Sequence, residues 1–426
     1  VNIMSGCSSL SRGFAALSTS ELTGTELPEG LDAAKFAFRA DAYPSLKAFD
    51  AQQSGIAQRA IFLRFGKDEK RSNVLRATPL SANADITWSL KANKDFGLSG
   101  GNLTITLPEN AVVADTLVAV HKNGYTKEYA LKSIPAILEG NGSDASPFLI
   151  KSADDLKLLA NFMASSGMDY DGYFFRVEND IVYPDTMVLS PIARTGVQFQ
   201  GDFNGNGKTI SAITFLDETT KTGKNIGLFG TVGTNGKVHD LTLEGKIKAA
   251  SYVGSFAGLL YGSIENCVSR MSINGKSGYS AGFAGRMYDG SSITNSLFEG
   301  SVSDEYSSNY NYIAGFAGQV ENGALIENCV NKGNVGQVKN TTGTTWTGQQ
   351  YVGGIAGMNL GTIRNCRNQG VLNGRMHVGG IAGRVGKTGR FEDCVNEAPI
   401  NVEGGGYVGG IAPQTAGSGL SYIIRC

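Results

Sequence analysis

The chain has 426 residues, and its 37 Lys+Arg against 38 Asp+Glu leave a net charge of −1. That balance, with no long basic run, carries no electrostatic footprint for nucleic acid or for a charge-driven hold on a membrane surface. No apolar run approaches the roughly 18 residues that span a bilayer as a helix, and neither HExxH nor CxxC occurs, so no zinc motif is written in the sequence.

Glycine is the unusual figure: 58 residues beside 10 prolines, about twice the common share. It recurs at fixed places, which points to geometry rather than disorder. In chain order, residues 1–33 are small, polar and weakly patterned, and read as a tether. Within them Met4-Ser5-Gly6-Cys7 has the pattern that ends a bacterial lipobox, with Cys7 as the acylated residue and a lipid anchor as the only membrane attachment. An ordinary free cysteine near a chain end is the alternative reading.

Residues 34–135 alternate in the manner of short strands between turn signals. "KFAFRAD", "RAIFLRFG", "DITWSLKA", "NLTITLP", "TLVAVHKNG" and "KEYALKSI" are rich in β-formers. Strands at this density predict a small β-sandwich of immunoglobulin-like architecture. From 136 the style changes. "SADDLKLLANFMASSG" predicts one short helix, with Ser152 as N-cap, Asp154 and Asp155 in the first turn, and Leu156, Leu158, Leu159 and Phe162 as its apolar face. With the strand-like "YFFRVENDIVY" and "FQGDFNGNGKTISAITF" it forms a capping segment over 136–224.

Over 225–426 one phrase returns, as in "YVGSFAG…SIENC", "YIAGFAG…LIENC" and "YVGGIAG…TIRNC". Its central apolar residue is Phe229, Phe256, Phe283, Phe316, Ile355, Ile381 and Ile411, with a glycine two beyond at Gly258, Gly285, Gly318, Gly357 and Gly383. Its second half aligns Val238, Ile264, Ile293, Ile326, Ile363, Phe391 and Ile423. Next come Asp240, Asn266, Asn295, Asn328, Asn365, Asp393 and Arg425, and then Leu241, Cys267, Ser296, Cys329, Cys366, Cys394 and Cys426. Such a period signals a solenoid, propeller or array. Strand-formers with glycine corners exclude helical solenoids, and most copies are too short for a four-stranded propeller blade. Each copy therefore reads as one coil, of two apolar strands and a weaker third, in a right-handed parallel β-helix. Equivalent residues stack about 4.8 Å apart, the Asn/Asp column makes a hydrogen-bonded ladder, and glycines serve corners of positive φ or close backbone approach. The fold class is all-β. The chain stops within a copy, which reads as a fragment or as an edge covered by another element.

These phrases resemble the GLUG motif, found in tandem in bacterial cell-surface proteins that include adhesin-like proteins and some immunoglobulin A peptidases. The lead-in "GNGSDASPFLIKSADDLKLLANFM" is similar to the segment that opens such arrays, and the lipobox-like start with a sandwich resembles Bacteroides-type surface lipoproteins. The resemblance implies a surface-exposed solenoid without a catalytic residue set or a cofactor. It spans about 138–426.

Three chemistries compete with scaffold roles. The cysteine column reads as buried thiols, since Leu241 and Ser296 share it. "DFNGNG" matches the first half of a calcium loop, but Ile213 stands where the bidentate Glu belongs, so a coil corner is the better reading and no metal site is assigned. Asp169 with Asp171, and Asp304 with Glu305, are the carboxylate pairs a glycoside hydrolase or lyase would need, yet nothing in the sequence brings them to catalytic separation. The candidate binding residues are Tyr306, Tyr310, Tyr312 and Trp346, in two insertions at equivalent places of successive copies, where amphipathic rings suit stacking on sugars or protein contacts. The expectation is a monomeric surface adhesin, held by its lipid or secreted, that binds host or microbial glycans or proteins. A polysaccharide-active enzyme and a structural stalk are the alternatives.

Overall fold

The computed structural model describes residues 36–37, 45–46, 60–63, 75–76, 86–92, 96–99, 102–105, 113–121 and 126–133 of a first unit. Of the second it describes 137–184, 190–194, 196–217, 224–304, 311–336, 350–402, 406–413 and 422–426. The units meet in sequence at Pro135 and Ala136.

In the first unit, Ile86–Leu90, Val113–His121 and Thr126–Ser133 form an antiparallel set, and Ala60–Leu63 joins it parallel to Thr126–Ser133. A second sheet holds Leu75–Arg76, Asn102–Ile105 and Phe96–Ser99. All six sequence-predicted segments contain strand. The sandwich expected over 34–135 rests largely on residues outside those described.

The second unit is a parallel β-solenoid of about eight turns with one helix among its described residues. That helix, Ala153–Ser166, starts at Ser152, whose Oγ accepts from the Asp155 N–H at 3.3 Å, and ends on Gly167 in the left-handed region. Its buried face is Ala153, Leu156, Leu159, Ala160 and Met163, while Leu158 is 43% exposed and Phe162 only half-buried. The i, i+3, i+7 spacing from Leu156 selects Leu159 and Met163 and leaves Leu158 about half a turn away.

Coils pair in register. Phe203, Val238, Ile264, Ile293, Ile326, Ile363, Phe391 and Ile423 oppose one another in sequence, and the same line extends back through Phe175 to Phe148. From Phe148 to Phe391 this column is fully buried, each aliphatic member contributing about 1.5–3 kcal/mol through burial. A coil contains more strand than the phrase suggests. Ser292–Thr294, Leu297–Phe298, Ser301–Asp304, Asn311–Ala314 and Ala317–Val320 make five short strands in one circuit. The last belongs to a separate six-stranded sheet, Phe229–Val232 through Ala382–Val385.

One column runs out of step with its copies. The register pairs Phe229 with Ala257, whereas Asn225 and Ile226 pair with Tyr252 and Val253. The first copy is thus one residue short before Phe229. Its ring accordingly packs 4.7 Å from Phe199 and 5.3 Å from Phe203, while Phe256, Phe283 and Phe316 stack on one another at 4.9 and 4.6 Å.

The corner residues divide the work differently from expectation. Asp240, Asn266, Asn295, Asn328, Asn365, Asp393 and Arg425 all turn the chain with φ between 49° and 55°. Asn and Asp tolerate this region because a short polar side chain bonds locally, whereas other L-residues lose about 1–2 kcal/mol there. Their side chains link only in part: Asn266 donates to Asp240, Asn328 donates to Asn295 at 3.1 Å, and Arg425 donates to both oxygens of Asp393. A continuous amide ladder lies elsewhere, two residues after the cysteine column. The Asn331 Nδ2 donates to the Asn368 Oδ1 at 2.6 Å, and the Asn368 Nδ2 to the Asn396 Oδ1 at 2.7 Å.

Candidate functional site

Of the four rings expected in insertions, Tyr306, Tyr310 and Trp346 lie outside the described residues, as does Cys7. Tyr312 belongs to the coil itself, in strand Asn311–Ala314, and is 8% exposed. It stacks at 5.0 Å on Tyr279 and at 5.1 Å on Tyr351, so both faces of its ring are already covered by neighbouring coils. This corrects its reading as a ring free to stack on a ligand. It is one rung of a ladder through Tyr252, Tyr279, Tyr312, Tyr351, His377 and Tyr407, with centroids 4.7–5.1 Å apart and planes within 21°. Parallel register forces each aromatic onto its equivalent, in the offset stacking that ring quadrupoles favour.

Beside this ladder a second pair stacks. Tyr261 and Tyr288 lie 4.2 Å apart with planes within 7°. Arg286, pointing out of the six-stranded sheet, sets its guanidinium 4.9 Å from the Tyr288 centroid and 6.0 Å from that of Tyr279. Burial opposes the charge on Arg286, but hydrogen bonding to Glu321 outweighs it and holds the guanidinium protonated, with Tyr252 adding a further bond. The Gln319 Nε2 donates to the same Glu321 carboxylate at 2.7 Å. Burial also lifts the Tyr288 phenol to about 12, with a hydrogen bond to Tyr261 adding to the rise. At neutral pH the Tyr288 hydroxyl can therefore both donate and accept. Tyr252, Tyr261, Tyr279, Tyr288 and Arg286 are each half-buried, which presents ring edges and phenols on a rigid support.

Sequence reasoning missed this platform by seeking aromatics where the repeat breaks. The signal lies within the repeat: Tyr261 and Tyr288 each follow a ladder tyrosine, Tyr252 and Tyr279, at the same distance in consecutive copies.

The described residues of the other candidate chemistries make scaffold contacts; Glu305 lies outside the described residues. Cys267, Cys329, Cys366 and Cys394 are buried free thiols. Each donates to the backbone carbonyl two residues earlier, at 3.2–3.4 Å, and Ser296 makes the same bond at 2.7 Å. "DFNGNG" carries a corner: Asn206 and Gly207 have φ of 54° and 69°, and the Asn204 Oδ1 accepts from the Asn206 N–H at 2.6 Å. The Asp171 N–H donates to Asp169 Oδ1 at 3.3 Å in a local turn, and Asp304 is fully buried.

No family model matches the chain. It is 34% identical over 136 residues to a candidate Gly-rich membrane protein of Evansella cellulosilytica, covering 30% of this chain and 15% of that protein. It is 29% identical over 178 residues to halomucin of Haloquadratum walsbyi, covering 39% of this chain and 2% of halomucin. The chain thus spans a small part of the length of these relatives. A solved structure, a candidate immunoglobulin A1 protease of Bacteroides ovatus, superposes with a TM-score of 0.48 at 21% identity, over 68% of this chain and 87% of the other. No helix among the described residues is long and apolar enough to cross a membrane.

Proposed function

We propose that the chain is the binding portion of a bacterial cell-surface, adhesin-like protein of GLUG type. Its right-handed solenoid holds one flank toward glycan or protein ligands; an immunoglobulin-like sandwich precedes it in the chain, and a lipid on Cys7 holds the protein to the cell. The observation that supports this best is the platform of Tyr252, Tyr261, Tyr279 and Tyr288 around Arg286. Half-buried tyrosines and arginine are the residue types that dominate recognition surfaces, because they offer area and hydrogen bonds with little conformational freedom left to lose. Here coil-to-coil stacking has already ordered them, so little ordering remains for binding. The names of two relatives, a Gly-rich membrane protein and halomucin, agree with a surface setting.

The test is a screen of the purified chain against immobilised glycans, mucins and matrix proteins, run beside Tyr261→Ala/Tyr288→Ala and assayed for cleavage products. Binding that falls at least about tenfold in the variant, the scale of one lost anchor, supports the reading. Products without retained ligand would move the case to a polysaccharide-active enzyme. Binding indifferent to the variant would remove the platform from the account, and no binding would leave a stalk.

A further inference from the structure

A second, recessed surface lies where the capping segment meets the first copy of the repeat, and its His239 shares the strand Lys237–Val253 with Tyr252. It is a groove of about 200 Å³ lined by Asp144, Phe174, Arg176, Asp202, Asn204 and His239. Parallel register brings these together. Phe174 opposes Asp202, and Arg176, Asn204 and His239 oppose one another on three successive strands, so they share one face over about 10 Å. Asp144 comes from the turn 141–146, closed by the Asn141 N–H to the Ser146 carbonyl at 3.0 Å and tied to the first of these strands by the Phe174 N–H to the Gly142 carbonyl at 3.0 Å.

The polar groups are fixed and incompletely used. His239 sits between two carboxylates, Nε2 at 2.8 Å from Asp202 Oδ1 and Nδ1 at 2.6 Å from Asp240 Oδ2, and Asn266 donates to the other oxygen of Asp240. Asp202 is therefore locked through Oδ1, and its Oδ2 has no hydrogen bond among the described residues. The Arg176 Nε donates to Glu178 at 2.6 Å, which leaves the Nη groups. Asn204 spends its Oδ1 on Asn206 and keeps its amide N–H groups. The Asp144 carboxylate is exposed at the rim, and the half-buried Phe174 ring supplies an apolar wall.

We propose that this groove is a subsite for one neutral sugar ring. Two carboxylates with free oxygens accept from vicinal hydroxyls, Arg176 and Asn204 donate to ring substituents, and Phe174 meets the C–H face. Such a volume is below the ~300–1,000 Å³ of drug-sized pockets, which limits the occupant to about one ring. Asp144 and Asp202 disfavour an acidic sugar, because its carboxylate would face theirs while the cations present, Arg176 and His239, are already paired with Glu178 and with Asp202 and Asp240. The subsite uses none of the platform residues and stands whether or not the platform binds.

The test is ligand-observed NMR titration of the whole chain with methyl glycosides of glucose, galactose, mannose and N-acetylglucosamine, and with methyl glucuronide. At least one neutral glycoside saturates with a Kd on the order of millimolar, and the glucuronide binds at least about tenfold more weakly. Asp144→Ala, whose side chain holds no bond among the described residues, and Phe174→Ala each weaken binding roughly tenfold, the loss expected for one hydrogen-bonding or stacking partner. Tyr261→Ala/Tyr288→Ala leaves it unchanged. Absence of saturation by every neutral glycoside, equal or better binding of the glucuronide, or full binding by a folded Asp144→Ala variant would overturn the proposal.

Discussion

A Cβ placed on Gly357 would lie 2.8 Å from the Cβ of Tyr312, one coil earlier, and 2.6 Å from the Gly318 carbonyl oxygen. Ladder tyrosine and motif glycine are therefore one device: the glycine lets the strand that carries the ring lie against the next coil. Gly357 needs no positive φ for this, only the absence of a side chain. Gly357→Ala should cost about 1–3 kcal/mol, as overpacking does. Gly410→Ala, where an added Cβ meets nothing within 4 Å, should stay within about 0.5 kcal/mol. Urea unfolding of the two variants separates these outcomes, and equal effects would refute the steric account.

His239 predicts a pH dependence of known sign. Hydrogen bonding to Asp202 raises it to about 9, against the opposing effect of burial, and Asp240 adds to the rise. Below the unfolded value near 6.5 both states are protonated and the contribution is full. Between there and about 9 the folded state holds a proton that the unfolded chain has released, so stability falls as pH rises. Partial exposure of all three groups reduces the gain to roughly 1–2 kcal/mol. His239→Gln should flatten the stability profile over this window, and a profile of unchanged slope would show that the contacts carry no net energy.

Asn368 lies fully buried between Asn331 and Asn396, and its Nδ2 also reaches the Gly370 carbonyl at 3.1 Å. Asn368→Ala leaves amide groups on both neighbours without partners. The expected loss is about 2–4 kcal/mol, the desolvation cost of orphaned polar atoms together with a cavity. Chemical denaturation measures it directly. A loss below about 0.5 kcal/mol would mean that the ladder relaxes around water.

The cysteine column predicts a labelling pattern. Burial pushes the Cys267 thiol up to about 12 and that of Cys366 well above its ordinary value. Thiolate is the reactive form, and a buried thiol is also out of a reagent's reach; by their burial Cys267, Cys329, Cys366 and Cys394 should resist a thiol reagent until the chain unfolds, while the exposed Cys426 reacts in the native state. A Cys7→Ser background keeps the count clean. Cys366→Ser should retain most stability, because Ser296 already makes the same carbonyl bond in this column.

The core columns are legible in the sequence because neighbours in a parallel solenoid are the same position one copy later. Val238 through Ile423 align from copy to copy along the chain and pair in that register. Where the copy length changes, that legibility ends: the missing residue before Phe229 is silent in a run of interchangeable small and apolar residues. Leu158 departs from expectation for a related reason, since hydrophobicity marks a residue as able to be buried and only the helix phase decides which face is.

What the sequence determined by itself is thus the repeat, its all-β character and the stacking of like on like, since these follow from backbone pairing between equivalent positions. The tertiary structure decided what meets across coils at unlike positions. Arg286 finds its counter-ion in Glu321 of the next coil, His239 bridges Asp202 and Asp240, and Tyr261 comes to lie near the tyrosine ladder. The groove around Asp144 belongs to the same class, because a turn before the helix reaches strands that lie far along the chain, at Phe174, Asp202 and His239. These contacts depend on side-chain direction and on where each strand bends; spacing along the chain marks Tyr261 and Tyr288 as equivalent positions but does not say what they face.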